Sequence, residues 1–319
     1  MRLTIWGINY APEPIGIAPF NTDLAEYLAE QGHEVTVVTS FPYYPNWSRR
    51  AEDRGQLFRS ERAARVSLKR CWCYVPRRVT SLKRMAHELS FVWCSLLRVL
   101  LLPRPDLMIV ISPPLGLGVA AWIASRLRRT QYIFHVQDLQ PDAAVSLGMV
   151  KKGAGVRFLY GLERFAYAKA AVVSGISRGM MTAFWSKGLA HAKTALVPNW
   201  LRSKAEPTGA ESASAEAAKA RFGIAPDDLL CVYAGNLGRK QNLGVLLDAA
   251  RAIATAAVTP GVRRVRFLVA GDGAGREALE VSLRENPTDN LTLLPLLDEP
   301  DYRQLLAAAD VALITQAAG

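Results

Sequence analysis

Residues 233–250 read YAGNLGRKQNLGVLLDAA. The stretch closes an apolar run (LLCVYAG, 229–235), breaks at Gly235 and Gly238, shows Arg239 and Lys240, and resumes near Leu243 with apolar residues at helical spacing. Strand, glycine turn, two cations and helix make a βα unit whose turn can meet a phosphate. Glycine lets backbone amides approach a ligand closely, and a helix start attracts negative charge. Lysine adds a point charge, and arginine a bidentate fork. The same string also fits an ordinary βα turn with a solvated Arg-Lys pair.

The unit repeats in both directions. Downstream, apolar runs at 264–271, 290–295 and 311–315 alternate with helical stretches from about Gly275 and Asp301. Upstream, runs at 3–10, 34–40, 106–112, 131–136, 170–177 and 194–199 are likewise separated by helical segments such as 22–30. Such alternation predicts an α/β protein with parallel sheets covered on both faces. Between the two sets, residues 202–228 are rich in small and polar residues and show no apolar face, which reads as an interdomain connection. The expected organisation is a Rossmann-like domain over 1–200, a linker over 201–228 and a second Rossmann-like domain over 229–319. Two such doubly wound domains make a cleft, and ligands of open parallel sheets sit at the carboxyl ends of the strands.

The 319 residues, half of them hydrophobic, suffice for two cores. Cys71, Cys73, Cys94 and Cys231 fit neither a zinc spacing nor a disulfide framework, which points to a reducing compartment. The opening MRLTIWGINYAP lacks a cationic segment followed by a long apolar one, so no signal peptide is expected. Net charge is +11, unevenly spread. Lys and Arg less Asp and Glu give −4 for residues 1–48, +10 for 49–104, +7 for 105–200 and −2 for 201–319. A basic first domain beside a near-neutral second one suggests that the first meets an anionic surface.

Further motifs follow the predicted strands. Gly16 lies in a Pro-rich loop before a helix, where bare backbone can face a ligand, although a plain Gly-Pro turn fits too. VAGDGAGRE at 269–277 resembles a dinucleotide fingerprint only loosely, and Gly271, Asp272 and Gly273 read better as a close-packed turn near a nucleotide base. YIFHVQDLQPDAA at 132–144 ends a strand with His135, Gln137 and Asp138, groups able to orient a hydroxyl or accept a proton. His135 equally fits a hydrogen-bonded core histidine, and His33 reads as structural. No Asp-x-Asp triplet occurs, so basic residues and helix ends are left to neutralise leaving-group charge, and no metal is expected.

Within the basic region, Leu82, Met85, Leu89, Val92, Trp93, Leu96, Leu97 and Leu100 recur at helical spacing. Lys83, Arg84 and Arg98 flank them, and Arg77 and Arg78 precede them. The internal charges make a poor membrane-spanning helix. The pattern fits an interfacial helix on anionic lipid, or a core helix with solvated basic neighbours. With no nucleic-acid-reading motif and few aromatics in the basic run, nucleic acid is not expected as a partner.

Several strings together resemble one known family: 7–47 (GINYAPEPIGIAPFNTDLAEYLAEQGHEVTVVTSFPYYPNW), 111–118 (ISPPLGLG), 134–150 (FHVQDLQPDAAVSLGMV), VPNW at 197–200, and the opening stretch. They look like the WcaI-type glycosyltransferases of capsular and colanic-acid synthesis, retaining family 4 enzymes with the GT-B fold. The resemblance implies an amino domain that handles acceptor and membrane and a carboxyl domain that binds the sugar nucleotide. It places Gly16 in the loop facing the donor diphosphate. It gives Lys240, or Arg239 beside it, the role of holding that diphosphate, with Gly235 and Asn236 in the adjoining turn. Gly271, Asp272 and Gly273 match the turn near the nucleotide, and His135 and Asp138 the polar groups towards acceptor and reacting sugar.

The family continues past the ADVALITQ string with a glutamate pair that contacts the donor. This sequence stops at Gly319, so the second domain is expected to be incomplete. The implied reaction is metal-independent, retaining transfer from a nucleoside-diphosphate sugar to a polyprenyl-diphosphate-linked acceptor. It would take place at the cytoplasmic face of a bacterial plasma membrane, with no cofactor beyond the donor. Two alternatives stay open, a GT-B-fold sugar-nucleotide epimerase and a non-catalytic membrane-associated binding protein.

Overall fold

A computed structural model describes residues 1–63, 65–146, 153–200, 211–255, 261 and 263–317. The chain divides into two compact units, Met1–Arg202 and Ser203–Gly319.

The first unit runs β1 (Arg2–Trp6), α1 (Ala18–Glu30), β2 (Glu34–Ser40), β3 (Phe58–Ala63), β4 (Val66–Cys71), α2 (Ser81–Leu101), β5 (Leu107–Ser112), α3 (Leu117–Arg128), β6 (Gln131–Val136), α4 (Gln140–Ser146), α5 (Ala154–Lys169), β7 (Val172–Gly175), α6 (Arg178–Ser186) and β8 (Thr194–Leu196). Its sheet has the order β3-β4-β2-β1-β5-β6-β7-β8, parallel except for β3 against β4. The inner strands are apolar on both faces because helices cover both. One core joins Trp6, Val110 and Phe134 to α2, α3 and α5, and a second joins Ile5, Val37 and Leu68 to α1.

The β3–β4 hairpin has no counterpart in the sequence reading. β3 is a polar edge strand, and β4 breaks its alternation by burying Arg70 where an apolar residue is expected. Arg70 is tolerated there because it pairs with Glu61 and donates to Ser40 O (3.2 Å) and Ala11 O (2.7 Å).

The second unit runs α7 (Glu211–Arg221), β9 (Leu229–Ala234), α8 (Gly244–Thr255), β10 (Val265–Ala270), α9 (Arg276–Glu285), β11 (Leu291–Leu294), α10 (Glu299–Ala308) and β12 (Val311–Ala312), with parallel strands in the order β11-β10-β9-β12. The connection read over 201–228 is corrected in part. Residues 201–210 lie outside the described residues, but 211–221 form α7, and Ala218 enters the core beside Leu230 and Leu305. The lysine next to it is also buried. Lys219 Nζ reaches Asp310 Oδ2 at 2.8 Å and Asp228 O at 3.0 Å, so the helix belongs to the second unit.

Candidate functional site

In the second unit the turn after β9 and the turn after β10 lock together through backbone. Gly235 N donates to Ala270 O at 3.0 Å, Leu237 N to Asp272 O at 2.9 Å, and Gly275 N to Leu237 O at 2.6 Å. The glycines are required by this contact. A Cβ on Gly271 would fall 1.9 Å from Gly235 O, and one on Gly273 2.6 Å from Asn236 Oδ1. Both also have φ in the range that favours glycine, +146° and +153°. The structure therefore brings Gly235, Asn236, Gly271, Asp272 and Gly273 into one cluster at the carboxyl ends of β9 and β10. Asp272 Oδ1 accepts from Gly273 N (2.7 Å), and the side chain of Arg276 donates to Gly271 O (2.7 Å) and Leu294 O (2.8 Å).

Gly235 and Asn236 are exposed, and Lys240 follows in a short 3-10 turn, Arg239–Gln241, before α8. Lys240 O accepts from Ala317 N at 2.7 Å, fixing the turn to the strand-end segment after β12. The side chain of Arg239 lies outside the described residues.

In the first unit a polar chain runs from the buried His135 and Ser174, on β6 and β7, to the half-buried Gln137 and Asn199 beyond the strand ends. Gln137 and Asn199 exchange two amide hydrogen bonds, at 3.0 and 2.9 Å. Gln137 Nε2 also sits 3.0 Å from His135 Nε2. An amide nitrogen can only donate, so His135 Nε2 accepts and the ring proton sits on Nδ1, 2.9 Å from Ser174 Oγ. Burial pushes the imidazole down to about 4, which keeps it neutral near pH 7. His135 is thus held inside the sheet with both nitrogens engaged. Asp138 is half-buried at the start of the following loop, where its carbonyl accepts from Gln140 N at 3.0 Å. Ser174 and Asn199 were not singled out as site residues in the sequence, although Asn199 lies in the VPNW string at 197–200 that carried the resemblance.

Gly16, with φ +75°, is exposed in the loop after β1. The same loop holds a buried acid that the sequence reading missed. Glu13, 4 % exposed, accepts from Tyr43 N and Tyr44 N at 3.0 Å through Oε1, and from Asn9 Nδ2 at 2.8 Å through Oε2. Burial pushes its carboxyl pKa up, while those donors and Arg70 act against the shift. A lone acid in a Pro-rich loop was the available signal.

Helix α2 has a buried apolar face and an exposed apolar one. Phe91, Val92, Cys94, Leu96 and Val99 face the core, while Leu82, Met85, Leu89, Trp93, Leu97 and Leu101 form an exposed stripe, Leu82 79 % and Trp93 61 % exposed. Among the described residues no helix is long and apolar enough to cross a membrane, and no three His, Cys, Asp or Glu side chains cluster as metal ligands.

Residues 16–200, more than half the chain, match the family described as glycosyl transferase 4-like domain. The chain belongs to that family. This glycosyltransferase is also 30 % identical, over 324 residues, to the putative colanic acid biosynthesis glycosyl transferase WcaI of Escherichia coli strain K12. The match covers 100 % of this chain and 77 % of that protein. Solved structures share the fold at low identity. Anabaena HepE in complex with UDP and glucose aligns with TM-score 0.63 at 17 % identity, over 100 % of this chain and 75 % of that one. The catalytic domain of starch synthase IV from Arabidopsis thaliana, bound to ADP and acarbose, aligns with TM-score 0.68 at 13 % identity, over 98 % and 78 %. The glycosyltransferase therefore has the α/β, GT-B type of fold.

Proposed function

We propose that this glycosyltransferase moves a sugar from a nucleoside diphosphate onto a polyprenyl-diphosphate-linked acceptor. The setting is the anionic cytoplasmic face of a bacterial plasma membrane, in the synthesis of an exopolysaccharide such as colanic acid, a capsule or an O-antigen. The observation that carries the lipid side is the exposed stripe of α2. Removing a leucine-sized side chain from water is worth about 1.5–3 kcal/mol, so six such residues along one helix favour an apolar phase. Lys83 and Arg84 at the start of that helix, with Arg77 and Arg78 before it, suit anionic headgroups.

On the donor side, Lys240 and the amides of the 235–240 turn take the charge that grows on the departing diphosphate. The glycine-locked turns after β9 and β10 hold those groups in place before the donor arrives. No Asp-x-Asp triplet is present to bridge a metal to the diphosphate, and Lys240 supplies positive charge at that place. This supports a metal-independent reaction. Retention of anomeric configuration follows the family resemblance.

The test is transfer of radiolabelled hexose from UDP- or ADP-hexose to a polyprenyl-diphosphate-linked acceptor in vesicles, with excess EDTA, and the anomeric form of the product read by NMR. A lipid-bound product of retained configuration, formed in EDTA, is expected. An epimerised nucleotide sugar without transfer, or nucleotide binding with no chemistry, contradicts the reading.

A further inference from the structure

Trp47 has a φ of +48°, a left-handed conformation that bulky residues rarely adopt. Such backbone persists where the surroundings fix it, and it concentrates at ligand sites. Here the surroundings are aromatic. The Trp47 ring meets Tyr43 edge-on, with centroids 5.3 Å apart, and His87 at 5.1 Å, while Tyr43 meets His87 at 4.5 Å and Tyr44 at 6.4 Å. Tyr43 and His87 are buried, whereas Tyr44 and Trp47 keep part of their surface in solvent. His87 Nδ1 is tied to Tyr74 O at 2.5 Å. Glu13 holds the Tyr43 and Tyr44 amides from below. Two half-open rings thus stand in the loop after β2, Trp47 packed on Tyr43 and His87, where a parallel sheet presents its ligands. Tyr44 also lies beside the Gly16 turn, its Cε1 3.6 Å from where a Gly16 Cβ would stand.

We propose that Tyr44 and Trp47 form a stacking platform for a pyranose ring, that of the acceptor sugar. The inference rests on the glycosyl-transfer reading above and names the group that selects its acceptor. The electropositive C–H edge of a pyranose complements the negative face of an aromatic ring. A rigid ring in a loop gives up little freedom when the sugar arrives. His87 ties the platform to α2. It lies on the core face of that helix, and the exposed stripe lies on the other. A helix is about 10–12 Å across, so a sugar on the platform sits about one helix width from the surface that would hold its lipid.

The test uses the chain as it is. Saturation-transfer NMR is recorded with methyl α-glucopyranoside and methyl α-galactopyranoside, with and without UDP. Ring protons of at least one pyranoside should receive saturation, and UDP should not compete for the contact. Trp47→Ala should weaken the signal about 3- to 10-fold, the span expected for one aromatic stacking contact, and Trp47→Phe should restore most of it. Where Trp47→Ala unfolds, Tyr44→Leu makes the same comparison. A folded Trp47→Ala or Tyr44→Leu protein with unchanged signal overturns the platform, as does a wild-type chain that shows no pyranoside contact. Failure of UDP to bind while the pyranoside contact persists would instead remove the donor reading and leave the platform standing.

Discussion

Glu13 and Arg70, each 4 % exposed, brace the same two loops with opposite charge. Glu13 accepts from the amides of Tyr43 and Tyr44 in the loop after β2, and Arg70 donates to Ala11 O in the loop after β1 and to Ser40 O at the end of β2. Each residue ties one loop to the other. Glu13 and Arg70 thus fasten the segments that carry Gly16, Tyr44 and Trp47 to one another.

Glu13→Ala removes the acceptor of two backbone amides. Leaving buried donors unpaired costs about 1–3 kcal/mol each, so stability should fall by about 2–6 kcal/mol. Hydrogen exchange at Tyr43 and Tyr44 should accelerate more than exchange in β5 or β6. Unchanged protection at those two amides would show that Glu13 is no brace.

His135 gives a pH dependence of known sign. The unfolded imidazole binds a proton near pH 6.5, and the folded one only near pH 4. The stabilising contribution is whole above pH 6.5 and is lost as pH falls towards 4, by up to about 1.4 kcal/mol per pH unit. His135→Gln removes this titration and leaves the others. Denaturant unfolding should show the gap between wild type and variant narrowing by about 2–3 kcal/mol between pH 7 and pH 4. A constant gap would mean that the imidazole is not held neutral.

Gly271→Ala pushes a methyl group into the Gly235 carbonyl, 1.9 Å away. Calorimetric unfolding should show a loss of about 3 kcal/mol from overpacking and strain together, with loss of UDP binding. Gly244→Ala meets nothing within 4 Å at the start of α8 and should be neutral or slightly stabilising. Equal behaviour of the two variants would refute the locked-turn account.

Asp310→Ala leaves the buried Lys219 ammonium with backbone carbonyls alone and frees Leu230 N, which donates to Asp310 Oδ2 at 2.7 Å. Asp310 is itself open to solvent, so losing this hydrogen-bonded partner of a buried lysine should cost about 1–3 kcal/mol. Limited proteolysis should cut first within 211–228. Wild-type resistance there would detach α7 from the second unit.

What could be read from the sequence follows from how burial writes itself into it. β1, β2, β5, β6, β9 and β10 are apolar on both faces, and so they stood out as runs. β3 and β4 did not, because a buried Arg70 replaces the apolar phase and its partners lie as far as 59 residues away. α7 was missed for a similar reason, its inward face being an alanine and the stem of a lysine. The glycine turns were legible as turns. That Gly271 and Gly273 serve one turn packed upon another became visible only when β9 and β10 were paired. The α2 stripe was legible as apolar spacing, yet Val92 and Leu96 turned out to face inward and Leu101 outward.

The most direct test of the central claim, that α2 brings this glycosyltransferase to lipid, is co-sedimentation with vesicles rich in phosphatidylglycerol. Wild type should pellet with them at low salt and less with phosphatidylcholine alone, and Trp93→Asp with Leu97→Asp should stay in the supernatant while folding normally. If the double variant pellets like wild type, the stripe is not the membrane-facing surface.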